Sequence, residues 1–548
     1  MTNEATVDFL FRDALARFPE RVLLRVARGA AILGHTYRDV SVAICERVDV
    51  LRAAGLQPGD VALACEEDVL VSVLLAIACA HAGVVLLPVP PNITAEQFQA
   101  IRLRVNAKAI LADPMTASSV RASGHEPLVF DDVVLASYTD EQVRHAARAL
   151  QHVGRQHDAG DVFQLAQSSG TTGKPKIVVR THTPIVRGAH ALAFHECAGS
   201  AERILLILRT TRALGSFVLA AALARAAELA IPAQSAVASP AGVLEPTRED
   251  LERLAPTYLA IMPQTLRSLD RQRRLADPAS PLVPESVRVV YLGPVSHLTR
   301  EAHLLEELQR ASIDVRSGYG TSEISPFCLM TRRMAWSVDH ACGTPLPDVE
   351  WRLEDDELCV RSPGLMRGYF DAPARPESVF DTDGFFRTGD CFEVRPGGEF
   401  VYLGRKADAV RTQDGTLVHL THLEELIEWG IDDVAQVLLV AAGRPGVVAL
   451  LAVDADEGEA HAADGFLDES LHASRYDEMR RRIAEVVGSD LVRGVALFNR
   501  RFPQAAYRSL PLDYKTYRDR ATLERVYAGR IEALYASTSS RHDDPTSS

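Results

Sequence analysis

The chain has 548 residues, 47% apolar and 24% charged, a balance that fits a globular protein and excludes a fibrous or wholly disordered one. Its length is too great for one compact core and sets an expectation of roughly two to four domains. Lys and Arg number 59 against 73 Asp and Glu, so the formal charge is −14, which argues against general binding to nucleic acid or to an anionic membrane and leaves room only for local basic sites. Eight Cys without a Cys-x-x-Cys pair, and without Cys/His at zinc-ligand spacing, read as reduced thiols of a cytoplasmic protein.

In chain order, MTNEATVDFLFRDALARFPE carries acidic residues early and no long apolar run, so it is not read as a signal peptide. VLVSVLLAIACAHAGVVLLPVP, Val69 to Pro90, is broken by Ser72, His81, Gly83, Pro88 and Pro90. It predicts a buried helix to about His81, a stop at Gly83 and a buried strand, not a membrane span. DVFQLAQ is apolar enough for a strand, as are ILLIL from Ile204, TYLAIM from Thr257 and VRVVYLG from Val287. SFVLAAALARAAELA and REAHLLEELQRAS read as helices between them. Strands alternating with helices imply α/β layers with parallel sheets. After Cys342 the texture turns to short antiparallel strands with Gly and Asp turns. Beyond Arg405 a smaller α+β unit is expected, with strands VAQVLLVAA and VVALLAVDA and a helix SRYDEMRRRIAEVVGS capped by Ser474. The tail from about Ala536 is Ser-, Asp- and Pro-rich and reads as disordered; no repeat is visible.

SSGTTGKPK, from Ser168, follows the DVFQLAQ strand. Gly170, Gly173 and Pro175 prevent regular structure there and leave backbone N–H groups free to form an anion nest. Ser168, Ser169, Thr171 and Thr172 add hydroxyl donors, and Lys174 and Lys176 add positive charge. It is not a Walker A loop, because only two residues separate the glycines and Pro175 follows Lys174. Loop chemistry alone leaves a phosphate cradle and a solvated turn both open. Likewise GYGTSE, Gly318 to Glu323, taken alone is a turn with a surface Glu, and Lys515 taken alone is a solvated lysine.

Read together, the strings are more specific. SSGTTGKPK, GYGTSE, GLMRGYF from Gly364, DGFFRTGD from Asp383, LGRKADAV from Leu403 and LPLDYKTYRDRATL from Leu510 resemble, in order, the motifs of the adenylate-forming superfamily. That family comprises acyl-CoA synthetases, aryl-acid AMP ligases, adenylation domains of nonribosomal peptide synthetases, and luciferases. RTH, Arg180 to His182, is most similar to the aryl-acid ligases. The resemblance implies an α/β fold: a large N-terminal domain of layered α/β subdomains with a small β-barrel-like subdomain, then a small mobile α+β C-terminal domain. It divides the chain into 1–404, a lid domain 405–536 and a tail 537–548.

The same resemblance implies an enzyme that uses ATP and Mg²⁺ to turn a carboxylic acid into an acyl adenylate, releasing pyrophosphate, and then loads coenzyme A or a carrier-protein phosphopantetheine. Ser168, Ser169, Gly170, Thr171, Thr172, Gly173 and Lys174 would bind phosphate, with Lys176 beside them. Gly318, Tyr319, Gly320, Thr321 and Ser322 would bind the nucleotide, Tyr319 against adenine and Ser322 at the α-phosphate. Glu323 would hold Mg²⁺, Asp390 the ribose hydroxyls, and Arg405 ribose and phosphate. Lys515 would be the catalytic lysine. Arg212, Gly215 and Gly293 would line the acid site. The partners implied are a small organic acid and a separate carrier protein, with neither nucleic acid nor membrane.

Several positions depart from the family pattern. Ile177 replaces the usual Gly. Arg212 stands three residues before Gly215, where His or an aromatic is usual; it reads either as a surface arginine in a shifted loop or as a sign of a polar or anionic substrate, or of a substrate carboxylate held by a guanidinium. Ala407 replaces the hinge Asp or Lys, Tyr514 replaces the Gly before Lys515, and Leu420 and His422 replace Pro and Glu. No Asp stands where an α-amine would be bound, which disfavours α-amino acids. The alternatives are ATP-dependent activation of another nucleophile, such as nitrite with diazotisation of an aryl amine, or amide formation, and a non-catalytic nucleotide-binding scaffold.

Overall fold

The computed structural model describes residues 5–542 apart from 91–92, 133–137, 153–156, 169–175, 194–201, 234–243, 294–301, 332–340, 373–375, 378, 432, 454–465, 488, 490, 499–506, 510–515 and 519. Two large sheets dominate. A seven-stranded sheet runs, edge to edge, Gly368–Tyr369, Lys176–Thr181, Val162–Ser168, Val85–Pro88, Val61–Cys65, Ala109–Ala112 and Leu128–Val129. From Val162–Ser168 onward its strands are parallel, while Lys176–Thr181 returns antiparallel beside Val162–Ser168. Ser168 and Lys176, which flank residues 169–175, pair with each other at the carboxyl edge of the parallel set.

A thirteen-stranded sheet holds a parallel set, Asp314–Tyr319, Val289–Leu292, Tyr258–Ile261, Arg203–Leu205, Glu228–Ile231 and Val22–Arg28, with Ala31–Thr36 antiparallel at that edge. The antiparallel strands expected after Cys342 continue from the other side of Asp314–Tyr319. Among them, Glu350–Glu354 and Glu357–Arg361 form a hairpin through Asp355 (φ 49°) and Asp356 (φ 63°), left-handed positions that Asp tolerates in tight turns.

One core joins both sheets through helices Val69–Ala82, His182–Ala193 and Ala213–Arg225. Val69–Ala82 is buried on every face, which is why it is apolar all round. Asp68 caps its start by accepting from Leu70 N (2.7 Å) and Val71 N (3.0 Å), and Gly83 (φ 70°) ends it where expected. Among the described residues no helix is long and apolar enough to cross a membrane.

C-terminal to Arg405, Val434–Val440, Val447–Val453 and Val492–Phe498 form a three-stranded sheet. Its residues alternate between two cores, Leu439 and Leu451 on one face and Leu438 and Leu450 on the other, as period-two strands must when both faces are covered.

Three expectations are corrected. SFVLAAALARAAELA is not one helix: Ala213–Arg225 ends at Ala226 (φ 51°), and Glu228–Ile231 is a strand paired on both sides. Ala-rich local propensity gives way there to burial within the sheet. Ser474 is not a cap, because the helix begins at Ala473. The last helix, Ala528–His542, runs on into the segment read as disordered.

Candidate active site

The strand Asp314–Tyr319 carries the GYGTSE segment off the end of the parallel set. A Cβ on Gly320 would lie 1.9 Å from the Pro326 carbonyl oxygen, so only glycine allows the turn there. The turn is held by Glu323 N–H donating to Thr321 Oγ1 (3.2 Å) and Ile324 N–H to the Thr321 carbonyl (3.2 Å). The GLMRGYF segment lies alongside: Met366 N–H donates to the Glu323 carbonyl and Ser325 N–H to the Gly364 carbonyl, each at 2.8 Å. Its Tyr369 hydroxyl donates to Glu323 Oε1 (3.2 Å), and Lys176 Nζ sits 4.8 Å from the Tyr369 ring centroid. Glu323, Tyr369 and Lys176, from three separate segments, thus form one cluster. Burial, with Glu323 beside it, pushes the Tyr369 phenol far up.

A second cluster centres on Asp390, which is 1% exposed. Its carboxylate accepts from the Tyr319 hydroxyl, from Arg405 Nε (3.0 Å) and from the Tyr402 hydroxyl (3.5 Å). The Tyr319 ring lies edge-on to Phe392 at 4.8 Å and roughly parallel to Tyr402 at 6.2 Å. Burial pushes the Asp390 carboxyl up while the Arg405 guanidinium works against it. Burial opposes the charge on Arg405, but Asp390 together with Tyr319, Tyr402 and Glu323 more than offsets this and favours the cation. The two clusters share the Tyr319–Glu323 segment, with Tyr319 in one and Glu323 in the other.

Beneath this segment lies Arg180, fully buried. Its Nε and Nη2 donate to the Ser322 carbonyl (3.1 and 2.9 Å), and Nη1 donates to Gln164 Oε1 (3.1 Å). Burial lowers its pKa to about 10 against the pull of Glu323. Gln164 Nε2 donates in turn to the Thr211 carbonyl, and the Thr211 hydroxyl to the buried Glu66. The Arg209–Arg212 turn is thereby tied to the hairpin that bears the glycine-rich loop. Half-buried Arg212 precedes helix Ala213–Arg225, and a Cβ on Gly215 would lie 2.1 Å from the Arg209 carbonyl oxygen. Gly293, donating to the Ile261 carbonyl (3.2 Å), faces Leu214, so the expected acid-site residues Gly215 and Gly293 lie on adjoining segments.

Gly318, Tyr319, Gly320, Thr321, Ser322, Glu323, Lys176, Asp390 and Arg405 are therefore brought close through two linked clusters. Ser169, Gly170, Thr171, Thr172, Gly173, Lys174 and Lys515 lie outside the described residues, and Ser168 is described only as the last residue of its strand. Sequence reading did not single out Tyr369, Tyr402, Gln164 or Arg180 as site residues. Tyr369, Arg180 and Gln164 stand inside the motif and strand segments read above, but none of them, nor Tyr402, carries a local signal of its role. Among the described residues no three His, Cys, Asp or Glu gather as a metal cage. A lone carboxylate suits Mg²⁺, which keeps several waters and takes one or two carboxylates plus substrate phosphates.

The family model for AMP-binding enzymes matches residues 11–370. The chain belongs to the AMP-binding enzyme family. This places it among the adenylate-forming acid ligases. This AMP-binding enzyme is 26% identical to the salicyl-AMP ligase / salicyl-S-ArCP synthetase of Mycobacterium tuberculosis, over 77% of this chain and 76% of that one. It is 24% identical to nonribosomal peptide synthetase 7 of Aspergillus fumigatus over 75% of this chain, and spans 17% of that much longer protein. Among solved structures it is similar to the O-succinylbenzoate coenzyme A synthetase of Bacillus subtilis in complex with ATP and magnesium ion. The TM-score is 0.70 at 19% identity, covering 95% of this chain and 100% of that one. That likeness establishes the fold.

Proposed function

We propose that this enzyme adenylates an organic acid of the aryl or another non-α-amino class and passes the acyl group to a thiol of coenzyme A or of a separate carrier protein. The observation that carries the reading is the junction of the two clusters at Tyr319–Glu323, which brings the Asp390 carboxylate, the Glu323 carboxylate and the Lys176 ammonium to one segment. The relationship to a salicyl-AMP ligase supports the aryl class, and the Arg209–Arg212 segment has no Asp of its own to hold an α-amine, which agrees with an acid rather than an amino acid.

The chemical difficulty is bringing one anion to another. An oxygen of the substrate carboxylate attacks the α-phosphorus of ATP, the bond to the bridging oxygen breaks, and pyrophosphate leaves with its electron pair. Positioning and electrostatic stabilisation carry such a transfer. Asp390 would accept from the ribose hydroxyls, with Arg405 opposing the burial that disfavours its charge. Tyr319 would lie against adenine, and Lys176 would add positive charge near the phosphates. Glu323 would hold Mg²⁺, which supplies charge neutralisation at the phosphate oxygens when bound. Lys515 would bridge the carboxylate and the α-phosphate. Residues 405–536 would act as a lid, turning between the two half-reactions.

The test is pyrophosphate and AMP release from MgATP across aryl, short-chain, fatty and amino acids, with nitrite in one arm, each with and without coenzyme A. Acid-dependent pyrophosphate release, abolished in Glu323→Ala and Lys515→Ala, is the expected result. Release with nitrite alone, or none with any acid while ATP still binds, would sink the acid-ligase reading.

A further inference from the structure

Arg180 is a cation at full burial, a placement that costs several kcal/mol of desolvation unless something compensates it. Its three hydrogen bonds go to a backbone carbonyl and a neutral amide, and among the described residues it makes no ion pair. An apolar side chain would fill the same space at lower cost, so packing does not account for a guanidinium here. The opposing charge that acts on it is that of Glu323, one residue beyond the carbonyl that it grips. Both halves of its planar fork are used: one edge closes on Ser322, and the other reaches through Gln164 to the Thr211 carbonyl. Three segments far apart in sequence, the loop-bearing hairpin, the Tyr319–Glu323 turn and the Arg209–Arg212 turn, are registered through this one side chain.

We propose that Arg180 is a positioning residue that fixes the Ser322–Glu323 turn and lends a buried positive charge to the phosphate site above it. The inference rests on the nucleotide reading of that site. Once Glu323 is engaged by a cation, its charge no longer balances Arg180, and the guanidinium acts on phosphate through a medium that screens it weakly. At an effective dielectric of about 20, a buried unit charge acting on an anion across several ångströms changes affinity by about an order of magnitude. The effect scales with phosphate charge and leaves uncharged nucleoside alone, whereas a merely structural defect weakens both together.

Adenosine, AMP and MgATP binding would be measured by calorimetry on the full chain and on Arg180→Met, Arg180→Lys and Gln164→Glu. Arg180→Met is expected to bind adenosine within about twofold of the parent, and AMP and MgATP, each with a net charge of about −2, about tenfold more weakly. Arg180→Lys keeps the charge and should recover most of the AMP and MgATP affinity. Gln164→Glu sets a carboxylate against the guanidinium and should show the same loss confined to the phosphorylated ligands; it carries the test by itself if Arg180→Met does not fold. Equal weakening of adenosine and MgATP, or unchanged MgATP binding, overturns the role of Arg180 and leaves the nucleotide site standing. Failure of the parent protein to bind MgATP overturns the nucleotide reading and the inference with it.

Discussion

Replacing Asp390 by Asn keeps the shape of the side chain and removes its charge, and the surrounding donors set the cost. The carboxylate accepts from the Tyr319 hydroxyl, Arg405 Nε and the Tyr402 hydroxyl. An amide offers one oxygen and turns an NH₂ towards donors, so one of Tyr319 and Arg405 loses its acceptor. The Arg405 side chain is 41% exposed and rehydrates, so its half of the pair adds little to stability. Tyr319 lies deeper, and an unsatisfied phenol there costs about 1–3 kcal/mol. A ribose hydroxyl bonded to a carboxylate gains about 1.5–3 kcal/mol, so AMP affinity should fall about 10- to 150-fold. Calorimetry with AMP and with 2′,3′-dideoxy-AMP separates the two effects. The dideoxy nucleotide should bind the parent and Asp390→Asn almost equally, because neither forms the ribose bond. A fall in AMP affinity below about threefold in a folded Asp390→Asn protein, or an equal fall for both nucleotides, refutes the ribose role.

The neutral, buried His182 makes the fold sensitive to acid. Burial and His157 lower its pKa to about 4 from 6.5, against Asp8 and Asp161, and its Nδ1 accepts from Val7 N. A depressed pKa means stability present above pH 6.5 and lost as pH falls through 4; about 2 kcal/mol should go between pH 6.5 and 5, and urea midpoints should show a shallower decline in His182→Gln. Gly320→Ala should abolish adenylation, since its Cβ must displace the Pro326 carbonyl and with it the turn bearing Ser322 and Glu323; parental turnover in a folded variant would contradict the packing. Asp68→Ala removes the cap of the central helix and should lower stability by about 1 kcal/mol in urea unfolding, with nucleotide affinity unchanged.

The elements legible in the sequence were those whose signal is local. An apolar helix stopped by Gly83, and strand-length runs such as TYLAIM, announce burial through composition alone. Glu228–Ile231 was hidden because its Ala-rich neighbours favour helix and its strand character comes from partners at Arg203–Leu205 and Val22–Arg28. The same division runs through the site. GYGTSE and DGFFRTGD stand out as strings, so Tyr319, Glu323 and Asp390 can be singled out as candidates from the sequence, and the structure brings them together. Arg180 lies 142 residues from the Ser322 carbonyl that it holds, and Gln164 lies 47 from Thr211; contacts of that span leave no periodicity to read. Tyr402 reaches Asp390 only because Phe386–Val394 and Phe400–Arg405 pair in register.

That register also bears on Ala407, the departure from the family pattern that matters most to the proposed second half-reaction. Arg405 is bound to Asp390, and Lys406 Nζ lies 3.0 Å from Glu357 Oε2, whose other oxygen accepts from Gly389 N–H. Both residues are therefore anchored to the thirteen-stranded sheet. Asp408 instead accepts from Thr421 Oγ1 (3.3 Å), at the start of helix Leu420–Gly430, whose Ile427 belongs to a core shared with the three-stranded sheet. The attachment of the chain thus changes hands across Ala407, a residue with no side chain long enough to tie to either side. A charged residue at that place would add an ion pair to one position or the other and bias rotation. Alanine adds none, so in the lid motion proposed above the balance between the two positions would fall to the Lys406–Glu357 and Thr421–Asp408 contacts. Both are partly or fully exposed and of small net strength, which would leave the proposed hinge free to turn.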